Sequence, residues 1–174
     1  MPPPPPPAGT LLPMVIGILS DTHDQYERMG LAVQTLKHRG AEFFIHCGDL
    51  CNPRMLDHLA GLPSAFVYGN CDWDRMALQR YGQGLSVPCY GTFGDLELAG
   101  KRIALTHGDD RAKMTTLLAA KQHDYLFHGH THVRRDERFG KLRIINPGAL
   151  HRAAEKTVAL LNTDNDNLQF ITIA

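Results

Sequence analysis

A chain of 174 residues with 43% hydrophobic residues can bury a sizeable core and is too short for two domains of ordinary size. Eighteen basic residues against eighteen acidic ones leave no long-range field to gather nucleic acid or an anionic membrane, so any recognition of phosphate must be local. No stretch approaches the ~18 apolar residues of a membrane span, and the near-zero net charge leaves a homo-oligomer open.

The first residues, Met1 to Pro7, are a proline run without the charged and apolar regions of a targeting peptide. They read as an extended tail over residues 1–12, with residues 13–174 as a single domain. Cys47, Cys51, Cys71 and Cys89 then read as reduced thiols of a cytoplasmic protein.

Met14 to Ser20 is an apolar run of strand length, and Gln25 to Arg39 places Met29, Ala32, Val33 and Leu36 at helical spacing before Gly40. The rhythm repeats with Phe43 to Ile45 as strand, Pro53 to Leu59 as helix, Ala65 to Tyr68 as strand and Trp73 to Arg80 as helix. Gly91 to Leu98 and Arg102 to Thr106 flank a turn at Ala99-Gly100-Lys101 and read as a hairpin. A helix over Arg111 to Gln122 and a strand over Tyr125 to Phe127 follow, and Val133 to Phe139, Leu142 to Ile145, Thr157 to Leu161 and Leu168 to Ile173 read as strands. Parallel strands alternating with helices, then antiparallel pairs, imply an α/β four-layer α/β/β/α sandwich of two mixed sheets.

Five polar clusters stand directly after these strands: Asp21-Thr22-His23, Gly48-Asp49, Gly69-Asn70-Cys71-Asp72, His107-Gly108-Asp109 and Gly129-His130-Thr131-His132. Strand C-terminal ends are where ligands bind in open α/β sheets. Two carboxylates, one amide and four imidazoles are a mixed N/O set suited to manganese, iron, cobalt, nickel or zinc. Seven ligands overfill one tetrahedral site, whereas one bridging carboxylate divides them between two ions.

In this order, Asp-x-His, Gly-Asp, Gly-Asn, a single His and Gly-His-x-His resemble the calcineurin-like metallophosphoesterases, and the match spans Asp21 to His132. The short chain without an inserted cap is most similar to the small single-domain phosphodiesterase branch, whose fold is the sandwich just read. The resemblance implies that Asp21, His23 and His132 hold one divalent ion, Asn70, His107 and His130 a second, and that Asp49 bridges. Manganese is the first choice of metal, with nickel, zinc, iron, cobalt or magnesium as alternatives. Two such ions lower the pKa of a bridging water and neutralise phosphoryl charge, which makes the expected activity hydrolysis of small phosphate esters. Much of the family carries a histidine after the Gly-Asn asparagine, where it helps to protonate the leaving oxygen. Cys71 stands there instead, and a thiol beside two cations ionises and makes a poor acid. Aryl esters should therefore be cleaved much better than alkyl ones. Asn70 and Asp72 are the catalytic candidates, Asp72 as a group orienting Asn70 or a ligand histidine.

Blander readings compete at several positions. Asp21, Asn70, Asp72, Asp109 and Asp110 are all residue types that cap helices, and for Asp109 and Asp110 the cap is preferred. His46 and His128 read as hydrogen-bonded interior residues, and His38, His58, His123 and His151 as surface residues. Two histidines two apart after a strand, at His130 and His132, serve no turn. Asn146-Pro147-Gly148 is expected near the metals without a chemical role. The rival functions are a protein-binding scaffold of the same fold, a phosphomonoesterase acting on small metabolites, and a nuclease. The nuclease would need more basic track than Arg134-Arg135 provides.

Overall fold

Apolar runs placed as just described become two five-stranded sheets. The computed structural model describes residues 12–174, so the proline run at the start lies outside the described residues. One sheet runs β10 (Asn167–Thr172), β9 (Thr157–Asn162), β1 (Val15–Leu19), β2 (Phe43–His46) and β3 (Ser64–Phe66). The other runs β4 (Phe93–Leu98), β5 (Lys101–Thr106), β6 (Tyr125–Phe127), β8 (Leu142–Asn146) and β7 (Arg135–Phe139). β1, β2 and β3 are parallel, as are β5, β6 and β8, and antiparallel strands complete both sheets.

The side-chain period of two along each strand sorts the residues into three apolar layers. Ile16, Ile18, Phe43, Ile45, Ala159 and Leu161 meet Ile103, Leu105, Tyr125, Phe127 and Ile145 between the sheets. The alternate residues Leu19, Phe44, Phe66 and Leu160 face α1 (Tyr26–His38), a 3-10 helix (Pro53–Leu59) and α2 (Arg75–Gly84). Each such Leu, Ile or Phe contributes ~1.5–3 kcal/mol relative to exposure. Ala104, Leu126, Leu142 and Ile144 are covered by Met114, Leu117 and Leu118 of α3 (Arg111–Ala120). No residue of α3 is fully buried, so this outer layer is the thinnest of the four.

The helix read over Pro53 to Leu59 is present with those bounds as a 3-10 helix, opened by Pro53 and capped by Asn52, which accepts from the Arg54 N–H. α2 begins two residues after the expected Trp73, because Asp74 is the residue that caps it by accepting from the Ala77 N–H. Asp110 caps α3 as expected.

Among the described residues no helix is long and apolar enough to cross a membrane. The Cys47, Cys51, Cys71 and Cys89 thiols are all free.

Candidate metal centre

Every parallel strand sends its C-terminal end toward one edge of the sandwich. Asp21 follows β1, Asp49 follows β2, Asn70 follows β3, His107 follows β5, and His130 and His132 follow β6. The sequence clusters, up to 111 residues apart from Asp21 to His132, therefore meet because parallel strands all end on the same side.

The loops are tied to one another by their backbones. The Asp21 N–H donates to the Gly48 carbonyl (3.1 Å), His23 N–H to Asp49 O (3.0 Å), and Gly129 N–H to His107 O (2.8 Å). Asp21, His23, Asp49, His130 and His132 all have positive φ, between 41° and 68°, conformations rarely adopted by residues other than glycine and concentrated at functional sites. Gly69 is required for a different reason. A Cβ there would lie 2.0 Å from Asp49 Oδ1 and 2.6 Å from its backbone nitrogen.

The donor atoms fall into two overlapping sets. Asp21 Oδ1 lies 3.2 Å from His132 Nε2 and 3.8 Å from His23 Nε2. Asn70 Oδ1 lies 3.0 Å from both His107 Nε2 and His130 Nδ1. Asp49 stands between the sets, with one oxygen, Oδ2, 3.4 Å from His23 Nε2 and 3.3 Å from His107 Nε2. Its other oxygen accepts the Cys71 N–H at 2.8 Å, which fixes the carboxylate in place.

These atoms fit cations. Asp21 Oδ1 and His23 Nε2 are buried without a hydrogen-bond partner, an arrangement that is costly unless an ion satisfies it. Two charge combinations tell the same story. Burial opposes ionisation of Asp49, but His107 and the Cys71 N–H hold its carboxyl down at about 2. Burial likewise opposes a proton on His107, yet Asp49 and Asp21 outweigh it and push the imidazole up to about 9. His107 Nδ1 lies 2.8 Å from the Cys47 carbonyl; a carbonyl only accepts, so Nδ1 carries the hydrogen and Nε2 is left as the donor atom.

Asp72 is placed differently from the sequence expectation. It touches neither the Asn70 amide nor a ligand histidine. Its buried carboxylate accepts the backbone N–H groups of Asp49 (2.9 Å), Cys51 (2.8 Å) and Gly69 (2.7 Å), binding the β2 and β3 loops together. Its hydrogen bonds thus run to the backbone of the two loops.

His46 and His128 are interior residues as read. His46 Nδ1 accepts the Gly48 N–H and its Nε2 faces Thr22 Oγ1, and burial depresses its pKa to about 3. Three of the four histidines assigned to the surface are elsewhere. His58 packs its ring 4.1 Å from that of Tyr26, with Nε2 buried. His123 is buried against Asp95, 3.2 Å away, and His151 packs its ring 5.3 Å from that of His23. A helix or loop position in sequence gave no sign of these packing partners. Sequence reasoning also missed Ser20, which donates to Asp21 Oδ2 at 2.6 Å, and Cys51, whose sulfur lies 3.4 Å from His23 Nδ1. Asn146 sits beside the site as expected, donating to Gly129 O and Thr131 Oγ1. Arg134 and Arg135 are occupied by Glu155 and Glu137.

Two mixed sheets flanked by helices, with this donor set at the strand ends, define the metallophosphoesterase class of fold. Residues 14–166 match the family model of the calcineurin-like phosphoesterase superfamily domain, and the chain belongs to that superfamily. It is 26% identical over 165 residues to phosphodiesterase MJ0936 of Methanocaldococcus jannaschii, covering 92% of this chain and 99% of that one. A solved archaeal phosphodiesterase superposes with a TM-score of 0.85 at 25% identity, covering 91% of this chain and 99% of that chain. Vps29 from Entamoeba histolytica, at 19% identity and a TM-score of 0.61 over 92% of this chain and all of its own, shares the fold.

Proposed function

We propose that this protein is a phosphodiesterase that hydrolyses small phosphate esters with two divalent cations, manganese foremost. Asp21, His23 and His132 would hold one cation and Asn70, His107 and His130 the other, with Asp49 common to both. The observation that carries the reading is Asp49 Oδ2, a single oxygen within 3.4 Å of an imidazole from each set. When bound, such a pair supplies activation of water and neutralisation of charge on the phosphoryl group.

The chain's own residues do the positioning. Ser20 Oγ and the His130 N–H both donate to Asp21 Oδ2, which leaves Oδ1 free for a cation. Cys47 O holds the His107 proton at Nδ1, and Cys51 faces His23 Nδ1. Cys71 stands where the superfamily often has a leaving-group acid; burial and Asp49 raise its thiol above the ordinary range, and two neighbouring cations would act in the opposite sense and favour the thiolate, a poor acid. Substrates with good leaving groups fit such a site. Four free thiols support a reducing, cytoplasmic setting, and we place the domain at residues 13–174.

The test uses metal-stripped protein given manganese, nickel, zinc or magnesium, with an aryl phosphodiester beside its monoester and an Asp49→Ala control. Metal-dependent diester turnover, absent from Asp49→Ala, is the expected result. Preference for the monoester would make the protein a phosphomonoesterase. No turnover with any metal, despite metal binding, would move the reading to a protein-binding scaffold.

A further inference from the structure

The two donor sets do not use every metal-binding atom at the strand ends. Cys71 Sγ, a carboxylate oxygen of Asp49 and a ring nitrogen of His23 all lie within 4.8 Å of one another. The sulfur therefore stands beside two of the seven ligands while belonging to neither set. Two hydrogen bonds hold it there. The Cys71 N–H donates to Asp49 Oδ1 at 2.8 Å, and Asn70 Nδ2 donates to Cys71 Sγ at 3.4 Å while Asn70 Oδ1 faces His107 and His130. An amide N–H aimed at the sulfur favours negative charge on it.

The other three cysteines are placed differently. Cys47 is fully buried in the apolar layer between the sheets. Cys89 packs against the layer under α1 and α2, its sulfur 3.5 Å from the Gly91 nitrogen. Cys51 Sγ lies 3.4 Å from His23 Nδ1, whereas the nitrogen that faces Asp21 and Asp49 is Nε2. Among the described residues, only Cys71 brings sulfur into a group of three metal-binding side chains. A separate observation points to a cation at the same place: Asp21 Oδ1, on a fully buried carboxylate, and His23 Nε2, 3.8 Å away, both lack a hydrogen-bond partner. Zinc bonds run ~2.0–2.2 Å to nitrogen or oxygen and ~2.3 Å to sulfur, so donors of one ion stand up to ~4.3 Å apart. A half-buried cysteine closes the remaining gap by turning about its Cα–Cβ bond.

We propose that Cys71 is a further ligand of the metal centre, one that thiophilic cations, zinc above all, recruit beside His23 and Asp49 and that manganese and magnesium leave off. The proposal rests on the two-cation centre of the phosphodiesterase reading and adds to it a basis for choosing among metals. Thiolate suits zinc, whereas carboxylate, carbonyl and water oxygens suit magnesium and manganese. As the metal–sulfur bond forms, the thiol proton passes to solvent. Asn70 then serves both sides of the centre, its oxygen toward His107 and His130 and its N–H toward the sulfur.

The test titrates cobalt, a spectroscopic substitute for zinc, into metal-stripped protein. Ligation by nitrogen and oxygen alone gives no sulfur-to-metal charge transfer. A near-ultraviolet charge-transfer band should therefore appear in the wild type, persist in Cys51→Ser and Cys89→Ser, and vanish in Cys71→Ser, which still binds cobalt through the other ligands. Zinc affinity, read by competition with a chelating dye, should fall at least about tenfold in Cys71→Ser, the lower end of the effect of even an outer partner of a metal site, while manganese affinity is unchanged. In the unaltered chain, alkylation of Cys71 by iodoacetamide, followed on its peptide by mass spectrometry, should be slower with zinc than with manganese by a similar factor, so the outcome does not depend on how the variant folds. Cobalt bound without the band, a band that Cys71→Ser keeps, or equal alkylation with the two metals overturns the sulfur ligand and leaves a centre of nitrogen and oxygen ligands standing. Failure of cobalt, zinc and manganese alike to bind the wild type refutes the two-cation centre itself, and the sulfur ligand with it.

Discussion

Asp72 gives the sharpest test of how the site is held. Its carboxylate is 2% exposed and takes three backbone N–H groups at 2.7–2.9 Å, two on Oδ2 and one on Oδ1. In Asp72→Asn one oxygen can keep the Asp49 and Gly69 donors, but the new amide NH2 then points at the Cys51 N–H. One bond is lost and two donors oppose each other. Removing a negative charge close to Asp49 relieves some repulsion, since burial and Asp49 both raise the Asp72 carboxyl, so the net cost is ~1–3 kcal/mol. Asp72→Ala orphans all three donors and costs about 3–5 kcal/mol. Because one of those donors is the N–H of Asp49, the proposed shared ligand, and another lies two residues on at Cys51, both variants should also bind manganese about 10–100-fold more weakly. Urea unfolding of metal-free protein measures the first effect, and manganese competition against a chelating dye the second. Unchanged stability and affinity in both variants would refute the claim that Asp72 binds the β2 and β3 loops together.

Gly69→Ala should abolish manganese binding while leaving the apolar layers intact, because its Cβ would fall 2.0 Å from Asp49 Oδ1 and 2.6 Å from backbone; normal affinity by dye competition would contradict this. Aryl diesters should be cleaved at least ~10²-fold faster than alkyl diesters, the lower range of a missing general acid, and a Cys71→His variant should narrow the gap; equal rates in the parent protein would end the leaving-group argument. His46 is held neutral, with its pKa pushed down to about 3 by burial against an ordinary 6.5. The unfolded chain therefore binds the extra proton between those values, and stability falls as pH drops from 6.5 toward 3. At pH 5 the loss relative to pH 7.5 is about 2 kcal/mol, and His46→Gln in chelator should show a correspondingly flatter pH dependence of unfolding.

Much of the fold was legible from period and punctuation. Apolar runs bounded by polar turns located every strand within a few residues, and helical spacing found α1, because these signals reflect which face of an element is dry. The seven candidate ligands were legible as clusters because each follows directly on a strand, where a polar group has no structural need to be apolar. The roles around them were not. Nothing local in the sequence distinguishes Asp72, which binds backbone, from Asp74, which caps α2, since both are aspartates near a helix start.

His151 and His123 show the same boundary from the other side. Both read as surface residues because they lie beside a helix or in a loop without a partner motif, yet one meets His23 and the other Asp95 through contacts spanning 128 and 28 residues respectively. The sequence by itself determined the donor chemistry, the order of strands and helices, and the family to which the chain belongs. Only the tertiary structure decided which atoms converge, how Asp49 stands between two imidazoles, and which histidines pack together at the cleft. The reason is that parallel strands deliver distant loops to one edge, so side-chain partners there are set by sheet order and loop packing, which no local spacing encodes.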